Sequence, residues 1–186
     1  MTTVTPIVGE GSYALYEGFD TFSYNCIKYL MANDEVIWKL LFYKTPDAWN
    51  KPNLTFEQKG ALIYDGSDDT TKFSVFLDQG SPDVITREDC ILRISPHSVF
   101  PGNRVVGTVN MILEVYCNYH INTLSNYRTR IDMIAKRLIQ VFNGVIIDGG
   151  LGKLFFDRLG GEANRLESGG QTPFKGRWMI LSTKSN

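Results

Sequence analysis

Between Val105 and Tyr119 every odd position is apolar or glycine, while the even positions mix Val106, Ile112 and Tyr116 with Thr108, Asn110, Glu114, Asn118 and His120. A period of two sends alternate side chains to opposite faces, so the stretch predicts a strand with one buried face. It persists for about 15 residues, where an ordinary strand has roughly 5–6. Upstream, Asp89–Ile94 predicts its partner, with Cys90, Leu92 and Ile94 on one face. Between the two, PHSVFPGN predicts a wide hairpin loop rather than a tight turn. The long strand is expected to bend near Gly107 or to run beyond the sheet.

A different period governs residues 125–143. Tyr127, Ile131, Ile134, Ala135, Leu138, Val141 and Phe142 recur at helical spacing. Arg128, Arg130, Asp132, Lys136, Arg137 and Gln140 fall mostly on the other side. Ser125 is placed to cap this helix and Gly144 to follow it. Two shorter helices precede the strands. Asp20 opens one that runs to about Met31, with Phe22, Cys26, Ile27 and Leu30 in a stripe. Asp34 caps the second, EVIWKLLFYK, which ends before Thr45-Pro46 because a proline disfavours helix at the residue before it.

The rest of the chain is less periodic. Residues 1–19 read as an extended arm, 45–70 as an irregular loop, and 157–175 as a glycine-rich loop. Within the second, Thr55 is placed to cap a short turn with Phe56 and Leu62 inward. Lys72–Leu77, residues 145–148 and Arg177–Ser182 predict further strands. The order is helix, helix, strands, helix, strand, with no repeat or linker. It predicts a single α+β domain over residues 1–186: a mixed or antiparallel sheet with a long hairpin, an amphipathic helix across one face and two N-terminal helices.

Composition narrows the function. Net charge is −1, which argues against a general nucleic-acid binder. The charge is unevenly divided, −6 over residues 1–100 and +5 over 101–186, which would suit head-to-tail contacts between copies. Cys26, Cys90 and Cys117 are odd in number and lack CxxC spacing, so buried free thiols in a reducing cytosol are expected. No apolar run approaches a membrane span, and the N-terminus lacks the features of a signal peptide.

Motifs that would carry chemistry are each broken at specific residues. Gly149-Gly150-Leu151-Gly152-Lys153 suggests a phosphate loop, but position 147 is Ile147 and the lysine is followed by Leu154 rather than Ser or Thr. His97 and His120 lack a second ligand at helical spacing. Cys117 and His120 would point to opposite faces of a strand, which spoils a nucleophile–base pair. Arg128, Arg130, Lys136 and Arg137 are basic, yet Trp38, Trp49 and Trp178 do not interleave with them, so a solvated or subunit-contacting face is expected. No metal, cofactor or catalytic group is expected.

One resemblance gathers these elements. The strand pair CILRI and RVVGTVNMILEVYCNYH, the helix YRTRIDMIAKRLIQVFNG, and a final strand opening FKGRWMIL resemble the tail-terminator and neck proteins of tailed bacteriophages. MANDEVIWKLLFYKTPDAW is similar to segments of virion neck and connector proteins. The resemblance implies a non-enzymatic virion protein, assembled in the host cytoplasm. It would form a ring, typically hexameric, that stops the tail tube and docks the tail to the head. Its implied partners are further copies of itself, neighbouring neck or connector proteins, and tail tube or sheath proteins. DNA would pass through the lumen without sequence-specific binding, and no membrane is involved.

The candidates for subunit contact are Val99, Phe100, Arg104, Glu114, Arg128, Arg130, Lys136 and Arg137, with the hairpin projecting to reach a neighbour. A head-closure, adaptor or tail-tube protein is the nearest alternative. A small α+β ligand-binding domain or enzyme is a more remote one, and would need a pocket with convergent polar groups.

Overall fold

In the computed structural model, which describes residues 19–67, 70–77, 88–101, 107–149, 152–162 and 174–184, the expected elements are joined by a short helix at Tyr119–Asn122 and a strand at Leu154–Glu162 that the sequence pattern did not predict. The helices are α1 (Phe19–Asn33), α2 (Val36–Phe42), α3 (Phe56–Gly60), α4 (Tyr119–Asn122) and α5 (Arg130–Phe142). The strands are β1 (Val75–Phe76), β2 (Cys90–Pro101), β3 (Gly107–Asn118), β4 (Leu154–Glu162) and β5 (Phe174–Lys184). They form a five-stranded mixed sheet of order β1-β2-β3-β5-β4, parallel only between β1 and β2. The α+β class is as expected from the alternation of periods.

One face of the sheet carries the core. Cys90, Leu92 and Ile94 of β2, Met111, Leu113, Val115 and Cys117 of β3, and Met179 and Leu181 of β5 are buried there. Against them pack Phe22, Cys26, Ile27 and Leu30 of α1, Ile37, Leu40 and Leu41 of α2, and Ile134, Leu138 and Phe142 of α5. Each such side chain contributes about 1.5–3 kcal/mol by leaving water. Trp38, fully buried, also satisfies its indole N–H on the Leu30 carbonyl at 3.2 Å.

The even positions of β3 behave differently along the strand. Thr108 and Asn110 are half-buried, but Ile112, Glu114, Tyr116 and Asn118 are all buried. A second, smaller cluster of Phe73, Phe76, Ile91, Tyr116 and Phe174, with Tyr64 against it, accounts for the C-terminal part. The strand therefore has one buried face near Gly107 and two beyond Met111.

Several boundaries move, each for a local reason. Strand pairing continues through the expected hairpin loop to Pro101↔Gly107, with a bulge between Pro96 and Ser98. The hairpin does not project alone, because β5 pairs with β3 over its whole length, from Asn118↔Phe174 to Thr108↔Lys184. β4 takes up residues 157–162 of the expected glycine-rich loop. The arm at 1–18, the rest of that loop at 163–173, and Arg104 lie outside the described residues.

β3 ends at Asn118, whose side chain accepts a hydrogen bond from the His120 amide at 3.0 Å and so caps α4. His120 is thus helical, not part of the strand. The helix α5 starts later than expected, at Arg130, because Thr129 rather than Ser125 caps it: its hydroxyl accepts from the Asp132 amide at 3.1 Å. Gly144, at φ +84°, follows the helix as expected. Residues 145–148 give a single bridge, Ile146↔Lys153, not a strand.

The caps at Asp34 and Thr55 form as read. The Ile37 amide donates to Asp34 Oδ1 at 2.7 Å, and Thr55 and Gln58 make a reciprocal capping box. Leu62 is inward, but Phe56 is exposed. The strand expected at Lys72–Leu77 shortens to β1, preceded by a 3-10 turn at Thr70–Lys72. Asp20 falls inside α1 rather than before it.

Candidate functional site

Where α2 finishes and α5 begins, one buried side chain organises the end of the molecule. Arg130 is fully buried. Its guanidinium donates to four backbone carbonyls: Leu40, Tyr43 at 2.8 Å, Thr45 at 3.1 Å, and Ile121, through Nε, at 3.0 Å. The last carbonyls of a helix have no partner within it. Here a cation supplies the donors and also complements the negative end of the α2 dipole. Arg130 was expected on a contacting face, and the structure corrects this: its charge is spent inside the fold. Its spacing carried a signal, since Arg130, Ile134 and Leu138 recur every four residues and share one side of the helix.

That anchor fixes the turn just before α5. The Ser125 amide donates to the Pro46 carbonyl at 2.9 Å, and the Trp49 indole reaches Ser125 Oγ at 3.4 Å. Thr123 and Thr129 form a bridge across the turn. Inside it the Leu124 amide donates to the Arg128 carbonyl at 2.9 Å, the Tyr127 amide to the Leu124 carbonyl at 3.0 Å, and the Arg128 amide to Asn126 Oδ1 at 3.2 Å. Leu124 is buried beneath.

At the tip stands Tyr127, 98% exposed and at φ +61°. A bulky residue with positive φ is strained, at a cost of order 1 kcal/mol, where glycine or asparagine would not be. Tyr127 was expected in the buried stripe of the long helix; the later helix start leaves it in solvent instead.

Other rings share this end. Phe42, the last residue of α2, is 40% exposed and meets the Tyr43 ring edge-on at 5.0 Å. Tyr119, which opens α4, is exposed and stacks on His120 at 3.9 Å. Arg128 is exposed, and Lys44 reaches Asp89 at 3.0 Å. A hydrogen bond with the Thr45 hydroxyl, reinforced by Lys51, holds the Asp47 carboxyl below its ordinary range.

Beside the start of α5 lies a cleft of about 150 Å³, with Asn122, Thr129 and Asp132 on one side and Lys175, Gly176 and Arg177 on the other. Ligand pockets are typically about 300 Å³ or larger. An ion pair of 2.7 Å between Arg177 and Asp132 joins the two walls. The cleft is smaller than a typical ligand pocket and is bridged by this ion pair.

The remaining contact candidates scatter. Val99 is half-buried opposite Val109, and Phe100 is 59% exposed opposite Thr108. They lie about 30 Å along β2 from Cys90. Glu114 is buried, contrary to expectation, and accepts from the Tyr116 hydroxyl at 2.9 Å, while Arg93 sits over the Tyr116 ring. Arg137 turns to Asp34 at 2.6 Å; the same carboxylate caps α2. Lys136 is exposed. Of the four basic residues read as one face, Arg128 and Lys136 remain in solvent.

Among the described residues no group of three or more His, Cys, Asp or Glu could hold a metal ion, and no helix is long and apolar enough to cross a membrane. Fold and surface together define an α+β domain whose most distinctive end displays rings on a rigid base. The chain belongs to the YomW family, which is phage-associated and whose profile matches residues 34–183. That span runs from the Asp34 cap to Thr183 in β5, so it takes in the whole aromatic end. A comparison with curated proteins finds no match.

Proposed function

We propose that the protein is a non-enzymatic structural subunit of a tailed-phage virion. Copies of it form a ring in the neck, probing neighbours on either side: it ends the tail tube below and receives the head connector above. DNA passes through the lumen without sequence-specific contacts. Membership of a phage-associated family supports the setting.

The observation that carries the assembly role is Tyr127. A ring left 98% in solvent at a left-handed backbone position gains nothing for the monomer. Tyrosine at the centre of an interface supplies large contact area with little conformational entropy to lose. The hydrogen bonds of the turn hold it in one place before association, which lowers the cost of binding.

The test separates folding from assembly. Tyr127→Asn removes the ring and leaves a residue that tolerates positive φ. The expected result is a monomer as stable as the parent, within about 1 kcal/mol in urea unfolding, that no longer assembles on purified tails. Assembly at the parental level would overturn the role given to this residue.

A further inference from the structure

Cys90 and Cys117 face each other across β2 and β3, directly paired in the antiparallel register. Both are free and buried. The ladder shows which kind of pair they form. The Asn118 amide donates to the Asp89 carbonyl at 2.9 Å, so Asp89 and Asn118 are a hydrogen-bonded pair and the next pair inward is not. The Leu92 amide points the other way, to the Ser74 carbonyl at 2.8 Å, and Cys90, two residues before it, shares that direction.

Non-hydrogen-bonded pairs are the close ones, with Cα atoms about 4.5 Å apart. That separation lies within the roughly 4.4–6.8 Å range of disulfides. Cys117 Sγ donates to its neighbour's carbonyl, that of Asn118, at 3.5 Å, so it lies at this end of the β2–β3 ladder.

We propose that Cys90 and Cys117 are a site of reversible oxidation that closes a staple between β2 and β3. The reaction is thiol–disulfide exchange, through a mixed disulfide, with a small-molecule disulfide such as glutathione disulfide. The two S–H bonds break, one S–S bond forms between Cys90 and Cys117, and two electrons and two protons pass to the oxidant, which leaves as two thiols.

Access comes from position. Cys90 is the first residue of β2 and Cys117 the penultimate residue of β3, where strand ends open most cheaply. Burial pushes the Cys90 thiol well above its ordinary range, so exchange waits on that opening and is slow. Once formed, the bond closes a loop that runs through β2, the hairpin connection and β3. It restricts the unfolded chain and raises the thermal midpoint by roughly 5–10 °C. Cys26, on α1, is an internal control: it is buried but paired with no other cysteine in the described structure.

The experiment incubates the full chain in glutathione buffers of increasing oxidation, quenches in acid, alkylates, and maps peptides without reduction. The expected product is about 2 Da lighter, links Cys90 to Cys117, and leaves Cys26 alkylated. It reverts in reduced glutathione. Cys26→Ser retains the product and Cys117→Ser abolishes it. Three results would overturn the proposal. One is glutathione adducts in place of the internal bond, another is a bond that includes Cys26. The third is free thiols in native protein at a buffer ratio that oxidises the urea-unfolded chain.

Discussion

At the scale of single residues, the clearest case is Arg130, a charge that holds the chain together from within. Replacing it by methionine keeps much of the volume but leaves carbonyls of Leu40, Tyr43, Thr45 and Ile121 without their donor. Each unsatisfied buried group costs about 1–3 kcal/mol. Arg130→Met is therefore expected to lose about 3 kcal/mol or more in urea unfolding, and Arg130→Lys most of that, since an ammonium cannot span four acceptors in a plane. Loss below about 1 kcal/mol would mean the carbonyls find water instead.

Cys26 gives a pH dependence of known sign. Burial pushes its thiol from an ordinary 9.0 up to about 12. The unfolded chain thus releases this proton first as pH rises. The contribution is fully present below pH 9 and is lost progressively between about 9 and 12. Cys26→Ala is expected to be less stable near neutrality, through its cavity, and to lose less further stability between pH 9 and 11 than the parent. Parallel unfolding curves for the two proteins over that range would contradict it.

At the scale of elements, local rules were legible where the deciding contact was close in sequence. Asp34 and Thr55 could be read as caps because their partners, Ile37 and Gln58, lie three residues on. The stripe of α5 was legible for the same reason, but its start was not. Ser125 and Thr129 both fit an N-cap by type. What decides between them is the Ser125 amide's bond to Pro46, a contact across about eighty residues. Thr129→Ala is expected to cost about 1 kcal/mol in thermal or urea unfolding, and Ser125→Ala less. The reverse order would place the helix start where periodicity alone puts it.

The strands illustrate the other limit. Alternation in β3 was plain, and it correctly placed Met111, Leu113, Val115 and Cys117 in the core. The second buried face was signalled only weakly, by Ile112 and Tyr116 among the even positions. Its cover comes from Phe73, Phe76 and Phe174, which pattern analysis of β3 could not reach. Glu114 reads as a surface charge for that reason. The aromatic end was equally hidden. Tyr127 fits a helical stripe by spacing, and only the tertiary tie through Arg130 and Pro46 turns it outward.

At the scale of the whole molecule, the division of charge between the two halves is used partly inside. Asp34 meets Arg137, so one acidic residue of the first half and one basic residue of the second bind each other within a copy. Arg128 and Lys136 remain on the surface for contacts outside it. On the proposed function, the assembly surface is smaller and more aromatic than the charge count suggests. Salt should weaken association only modestly, because rim charges are screened while buried rings are not.

On the proposed function, everything turns on whether copies of this chain close into a ring. It is tested most directly by the mass of the full-length protein by light scattering, alone and after addition to purified tails, with negative-stain images of each sample. Closed rings of about six subunits with a single rotational symmetry are expected in at least one of the two. Open tubes in place of rings, or a monomer that leaves the tails bare, would contradict it.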